Sequence, residues 1–142
     1  MAIGKWDKRF IGLALHVAEW SKDPSTRVGA VIVDNKQRVI SMGYNGPPRG
    51  VSDHYVTRED KLFKTIHAEE NAVLFAKQDL TGATAYVTHP PCANCAAKLV
   101  QSGVTRVVFP APSEDFLSRW KESYYAALGM FVEAGVAVET GE

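Results

Sequence analysis

Four side chains in two short segments could carry chemistry together. His67 and Glu69 stand in His67-Ala68-Glu69, and Cys92 and Cys95 stand in Pro91-Cys92-Ala93-Asn94-Cys95. Cysteines three positions apart lie on one face of a helix, and a proline favours a helix start. A helix N-terminus lowers the pKa of a thiol, and thiolates and neutral imidazoles are zinc ligands. With His67, Cys92 and Cys95 as ligands, the fourth tetrahedral position stays open, as in catalytic zinc sites.

Glu69 is the candidate acid–base group beside these ligands. Residues two positions apart on a regular helix diverge by about 200°, so His67 and Glu69 reach one pocket only near a helix end. We therefore predict that His67 lies in the first turn of its helix. A carboxylate at that place could move protons between the atoms of a bound molecule.

The same residues allow other interpretations. Cys-x-x-Cys at a helix start is also typical of a thioredoxin-like redox pair, but that function would leave the His-x-Glu segment without a role. A structural zinc site would need a fourth cysteine or histidine. We expect His16 on the solvated face of the first helix and His54 exposed in a loop. His89, just before Pro90-Pro91-Cys92, could line the mouth of a pocket.

Hydrophobic periodicity predicts the elements that must position these residues, in the order α-β-β-α-β-α-β-α-β. The predicted helices cover 6–20, 67–77, 92–102 and 113–134, and the strands cover 28–33, 39–44, 84–88, 104–109 and 136–139. Residues 51–65 are polar and weakly patterned, which predicts a surface loop. The first two strands form a hairpin and helices separate the others. We therefore expect an α/β fold with three α-β-α layers and a mixed five-stranded sheet.

Composition limits the classes of function. The chain has 142 residues, 46% of them hydrophobic and 23% charged, so we expect residues 1–142 to form a single domain. Its 16 basic and 16 acidic residues give a net charge of zero, which disfavours a nucleic-acid partner. No apolar run reaches the roughly 18 residues of a membrane span, and polar residues interrupt the N-terminal apolar segment, which disfavours a signal peptide. We expect a cytoplasmic protein with no membrane partner.

Four segments together resemble the deoxycytidylate (dCMP) deaminase family of the cytidine-deaminase superfamily. They are SKDPSTRVGA (21–30), GYNGPPRG (43–50), HAEENA (67–72) and PCANCA (91–96). The last two carry the H-x-E and P-C-x-x-C signature of zinc deaminases, and the first two favour the deoxycytidylate branch. Residues 109–116 depart from the acidic-basic-aromatic stretch that the family often has there.

The resemblance implies a zinc enzyme that converts the nucleotide dCMP to dUMP and ammonia. Zn²⁺ would be held by His67, Cys92 and Cys95, with Glu69 as the catalytic acid and base. Asn45 would bind the sugar and base region, and the Ala68 N–H would bind the pyrimidine carbonyl. The phosphate candidates are Ser21, Lys22 and Arg27. The alternatives are a deaminase of a free nucleoside or of tRNA adenosine, and a non-catalytic module that binds zinc or a nucleotide.

The last predicted helix is rich in large apolar residues. They are Phe116, Leu117, Trp120, Tyr124, Tyr125, Leu128, Met130 and Phe131. This is more apolar surface than one sheet face covers, so we expect a homo-oligomer, and the family resemblance implies a dimer or a multiple of it. We interpret the row through Trp120 and Tyr124 as core or subunit interface.

Overall fold

The fold is that of a computed structural model, which describes residues 3–141. In chain order, its elements are α1 (Lys5–Ala18), β1 (Gly29–Val33), β2 (Val39–Tyr44), α2 (Arg58–Lys64), α3 (Ala68–Ala76), β3 (Thr84–Val87), α4 (Ala93–Ser102), β4 (Arg106–Pro110), α5 (Glu114–Ala134) and β5 (Ala137–Gly141). Every predicted helix and strand is present, with ends that differ by at most two residues. Within residues 3–141, no helix has the length and apolar composition needed to cross a membrane.

The five strands form one mixed sheet in the order β2-β1-β3-β4-β5. β1 is antiparallel to both of its neighbours, whereas β3, β4 and β5 pair in parallel. The expected mixed five-stranded sheet is therefore confirmed. Because β2, β3 and β4 run in one direction, their carboxyl ends meet at the same edge, where α/β proteins place ligands.

The sheet is covered on both faces, which confirms the three-layer α-β-α arrangement. Alternate residues of β1 show the division: Val31 and Val33 pack with α1, whereas Ala30 and Ile32 belong to the larger core beneath α3, α4 and α5. All of β1 is buried, because a central strand between two helical layers has no solvated face.

Two strand glycines let helices approach the sheet closely. A Cβ atom at Gly29 would lie 2.0 Å from the carbonyl oxygen of Ala14, so α1 lies directly against β1. A Cβ atom at Gly43 would lie 2.4 Å from the carbonyl oxygen of Ala68 on α3. Any larger residue at Gly43 would therefore displace the first turn of α3.

A buried ionic network connects α1 to the sheet. The Asp7 carboxylate accepts hydrogen bonds from Arg106 Nη1 and Nη2, each at 2.8 Å, and from the Tyr86 hydroxyl at 2.6 Å. Arg106 also pairs with Glu139 of β5. The hydrogen bonds from Arg106 hold the pKa of Asp7 well below its usual range.

The predicted loop over 51–65 is wrong in one part, because it contains α2. Thr57 caps this helix by accepting a hydrogen bond from the Asp60 N–H at 3.0 Å. None of the residues of α2 is buried, so the helix has no apolar stripe that the sequence could reveal.

Most of the apolar residues of α5 pack against the chain's own core, so they do not by themselves require a partner chain. Tyr124 and Phe131 are buried in the chain's own core, and four more of the eight apolar residues pack against that core: Phe116, Leu117, Leu128 and Met130. Of the set, Trp120 and Tyr125 are exposed. The backbone of α5 is also interrupted at Trp120, where φ and ψ are −124° and 16°.

Candidate active site

The predicted zinc ligands lie where α3 and α4 begin. His67 and Cys92 are the N-cap residues of these helices, and Cys95 lies one turn into α4. His67 Nδ1 is 3.2 Å from Cys95 Sγ and 3.6 Å from Cys92 Sγ. All three donor atoms lie within 4.8 Å of one another. The two helix starts thus bring together residues that are 25 positions apart in the chain.

This donor set fits a zinc ion. Tetrahedral zinc with ordinary Zn–S and Zn–N bonds separates its ligand atoms by about 3.6 Å, close to the spacing found here. Hydrogen bonds from the Cys95 thiol and the His67 ring lower the pKa of Cys92 to about 4, whereas the same contact and burial raise the pKa of Cys95, so a metal ion would bind the Cys92 thiolate and displace the proton of Cys95. Within the described residues, no fourth histidine, cysteine or carboxylate joins the group. His67, Cys92 and Cys95 therefore form a zinc-binding site with one position left open.

Several contacts outside the donor set fix the position of His67. The Glu70 carboxylate accepts a hydrogen bond from the His67 backbone N–H at 3.2 Å and pairs with Lys98 of α4. Just before the histidine, Ile66 and Gly46 exchange two backbone hydrogen bonds at 2.8 and 3.1 Å. The start of α3 is thus bound both to α4 and to the segment that follows β2.

Glu69 lies beside the ligands, as predicted. It is the second residue of α3 and only 5% exposed, and it lines the same cavity as His67 and Cys92. The ψ of His67 is 157°, so the histidine precedes the regular helix and both side chains can face one cavity. Burial raises the pKa of Glu69 to about 7, a value suited to a group that must both take up and release protons near neutral pH.

The cavity opens at the edge of the sheet where β2, β3 and β4 end, and it has a volume of about 590 Å³. Its floor is the zinc site with Glu69 and Ala68. The loop after β3 supplies Thr88 and His89, and α2 and α5 supply two walls. His89 lines the cavity, as predicted. Its burial lowers the pKa of its ring. The predicted exposure of His16 and His54 is confirmed as well.

Asn45 lines the cavity, but its side chain also holds the loop before β1. Its Oδ1 accepts from the Val28 N–H at 2.9 Å, and its Nδ2 donates to the Thr26 carbonyl at 2.9 Å. Nδ2 also lies 3.4 Å from Asp23 Oδ2, and Lys61 of α2 donates to Asp23 Oδ1 at 2.9 Å. A chain of polar contacts thus runs from Lys61 through Asp23 to Asn45, and a substrate contact by Asn45 stays a prediction.

The three predicted phosphate contacts do not line the cavity. Ser21 is buried, and its hydroxyl donates to the Asn45 carbonyl at 2.9 Å, which makes it a support of the loop. Lys22 and Arg27 are exposed outside the cavity lining, whereas Asp23, between them in the chain, faces the cavity. Their role in phosphate binding stays a prediction that this geometry does not support.

The cationic side chains that do line the cavity come from two helices that the sequence analysis did not assign to the site. They are Arg58 and Lys61 of α2 and Arg119 of α5. No signal pointed to α2. On α5 the spacing of Phe116, Arg119, Trp120 and Ser123 is that of one helix face, so this wall could have been found. The interpretation of this row as core is confirmed for Tyr124, which is buried, and wrong for Trp120, which is half-exposed and lines the cavity. A subunit interface at Trp120 stays a prediction.

Comparison with known proteins agrees with this geometry. A family model described as the cytidine and deoxycytidylate deaminase zinc-binding region matches residues 4–111. The chain is 56% identical over 138 residues to a protein of Aliivibrio fischeri described as an uncharacterized deaminase in the luxG 3′ region, covering 96% of this chain and 93% of that protein. It is 38% identical over 114 residues to the deoxycytidylate deaminase of Mus musculus, covering 74% of this chain and 64% of the mouse protein.

A solved structure shows the same fold. The dCMP deaminase of the cyanophage S-TIM5, in complex with dCMP and dUMP, superposes with a TM-score of 0.79 over 99% of this chain and 100% of the phage chain, at 23% identity. At that identity the likeness establishes the fold alone. The family match over residues 4–111 covers the zinc ligands and Glu69. The chain therefore belongs to the cytidine and deoxycytidylate deaminase family.

Proposed function

We propose that this protein is a zinc-dependent hydrolase that converts dCMP to dUMP and ammonia. The observation that carries the proposal is the buried Glu69 carboxylate beside three convergent zinc donors in one open cavity. The mouse relative, a deoxycytidylate deaminase, supports this choice of substrate within the family.

The reaction exchanges the C4 amino group of cytosine for the oxygen of water. A zinc ion held by His67, Cys92 and Cys95 would lower the pKa of a water molecule and so provide hydroxide, which is otherwise scarce at neutral pH. Glu69 takes a proton from this water and delivers it to N3. It then takes the second proton from the new C4 hydroxyl and gives it to the departing amine. A C–O bond forms at C4, the C4–N bond breaks, and ammonia leaves. One carboxylate can serve both steps because all three atoms lie within one pocket.

The chain also offers groups that can orient the base. Ala68 is the first residue of α3, so its backbone N–H has no acceptor within the helix, and Ala68 lines the cavity. We assign this N–H to the pyrimidine carbonyl. We assign Asn45 to the sugar and base region because it lines the cavity and its Oδ1 accepts only one hydrogen bond within the described residues.

Replacing Glu69 with glutamine tests the mechanism. The variant keeps the shape of the side chain but cannot transfer protons, so dUMP formation should fall by about 10²–10⁴-fold while the zinc content stays near one per chain. Glu133→Gln, at an exposed position of α5, is the matched control and should behave as the wild type. Near-normal turnover by Glu69→Gln would exclude Glu69 as the acid and base.

We also propose a homo-oligomer. Large apolar side chains remain exposed on and beside the edge strand β2, among them Trp20, Met42 and Tyr44. Surfaces of this kind are commonly covered by a second copy. Light scattering at micromolar concentration should give a dimer or a multiple of it, and a monomer would contradict the proposal.

We further propose that the 142 residues work as a single deaminase domain in a reducing, cytoplasmic compartment. The support for the compartment is the chemistry of the site, because Cys92 and Cys95 are free cysteines and must stay reduced to bind zinc.

A further inference from the structure

The cations that line the cavity differ in how fully they are paired. Lys61 forms an ion pair with Asp23, in which Nζ lies 2.9 Å from Oδ1 and both side chains are largely buried. Arg58 forms no ion pair within residues 3–141. Arg119 Nη2 lies 3.7 Å from Asp115 Oδ2, and both of these side chains are mostly exposed. Such a contact is weak and leaves most of the guanidinium donors free.

Arg58 and Arg119 line the cavity from two different helices, α2 and α5, and both are exposed. Arg58 shares its wall with Leu62 of α2, and Arg119 shares its wall with Phe116 and Trp120 of α5. Glu69 is buried whereas both arginines are exposed, so an amino-bearing ring must enter the cavity first to reach Glu69. The sugar and any phosphate of such a ligand would then lie on the side of the exposed arginines.

The α5 wall also departs from a regular helix at this place. The interruption at Trp120 falls between Phe116 and Tyr124, which line the cavity one turn before it and one turn after it. Interruptions of this kind often occur at functional sites. Arg119 also lies beyond residues 4–111, the part that matches the family model, so it is not part of the shared zinc-binding region.

We propose that Arg58 and Arg119 bind the 5′-phosphate of a mononucleotide from two sides and thereby set the preference for a nucleotide over a nucleoside. This inference rests on the proposed function and assigns the substrate's phosphate to residues of this chain. A guanidinium can bind two phosphate oxygens at once. Two guanidiniums on separate walls would neutralise the charge of the phosphate and hold it in one position. Asp115, the acidic side chain on the same wall, is partly neutralised by its contact with Arg119.

The test compares the catalytic efficiencies of zinc-loaded proteins for dCMP and for deoxycytidine. Arg58→Gln and Arg119→Gln should each lower kcat/KM for dCMP by about 10- to 150-fold, mainly through KM, and change the deoxycytidine value less than about threefold. Arg58→Lys and Arg119→Lys should recover part of the loss. Lys64→Gln on α2 and Lys121→Gln on α5 remove a charge from the same helices outside the cavity lining and should leave both values unchanged.

Three results would overturn the inference. An unchanged ratio of dCMP to deoxycytidine efficiency in both arginine variants would remove these residues from phosphate binding. A selective loss of dCMP activity in Lys22→Gln and Arg27→Gln instead would assign the phosphate to the loop before β1. Faster deamination of cytosine within a single-stranded oligodeoxynucleotide than of dCMP would show that the arginines contact a nucleic-acid backbone. If the wild type deaminates neither dCMP nor deoxycytidine, the proposed function itself fails, which is a distinct outcome.

Discussion

Replacing Gly43 with alanine should move the helix that carries His67 and Glu69. The added Cβ atom would lie 2.4 Å from the carbonyl oxygen of Ala68 and 2.5 Å from the backbone nitrogen of Ala72. Ordinary contact begins at 3.4 Å, so β2 and the first turn of α3 must separate by about 1 Å. A displacement of this size at a catalytic group can cost about 10²-fold in rate.

The assay measures kcat/KM for dCMP per zinc-loaded chain, together with Tm. Gly43→Ala should lose about 10²-fold in efficiency. The strain should cost about 1–3 kcal/mol of stability and lower Tm by roughly 3–15 °C. Gly129→Ala is the matched control, because nothing lies within 4 Å of its added Cβ atom. Wild-type activity and Tm in Gly43→Ala, or an equal loss in Gly129→Ala, would refute the reasoning.

Two further variants test contacts away from the zinc site. Lys61→Met breaks the ion pair with Asp23 and should lower kcat/KM for dCMP about tenfold while the zinc content is kept, and Lys61→Arg should keep most of the activity. If Lys61→Met is as active as the wild type, the chain of contacts to Asn45 does not position the substrate. Asp7→Asn removes the partner of Arg106, whose hydrogen bonds lower the pKa of Asp7. Stability from this pair is present above the unfolded pKa of about 3.9 and is lost as the pH falls through the lower folded value. The variant should therefore lose about 1–3 kcal/mol at pH 7, and this deficit should shrink progressively as the pH falls from about 4 toward the lowered folded pKa, which denaturant unfolding at neutral and at strongly acidic pH would check. An equal deficit at both pH values would contradict this assignment.

The zinc site could be predicted from sequence because its ligands obey local rules. Cys92 and Cys95 share a helix face by spacing alone, and the placement of His67 followed from the two-residue separation to Glu69. Strand order needed more than local rules. The alternation of helices and strands did not reveal that β3 lies beside β1 and antiparallel to it.

The outer part of the site could not be predicted in the same way. In the loop before β1, Asp23 and Thr26 face the cavity whereas their neighbours Lys22 and Arg27 do not. Spacing does not determine side-chain direction in an irregular segment. α2 has no buried face, so its Arg58 and Lys61 had no periodic signal. The row through Trp120 did have the spacing of one helix face, but that spacing does not distinguish a cavity wall from a core.

The rate of dUMP formation from dCMP by the zinc-loaded chain, measured beside deoxycytidine, cytosine and guanine, tests the central claim most directly. We expect dCMP to be deaminated with the highest efficiency, at least about tenfold above deoxycytidine, since a charge-assisted phosphate contact contributes at least that much. Absence of dUMP with zinc bound, or a higher efficiency with a substrate that lacks the phosphate, would contradict the assignment of this protein as a dCMP deaminase.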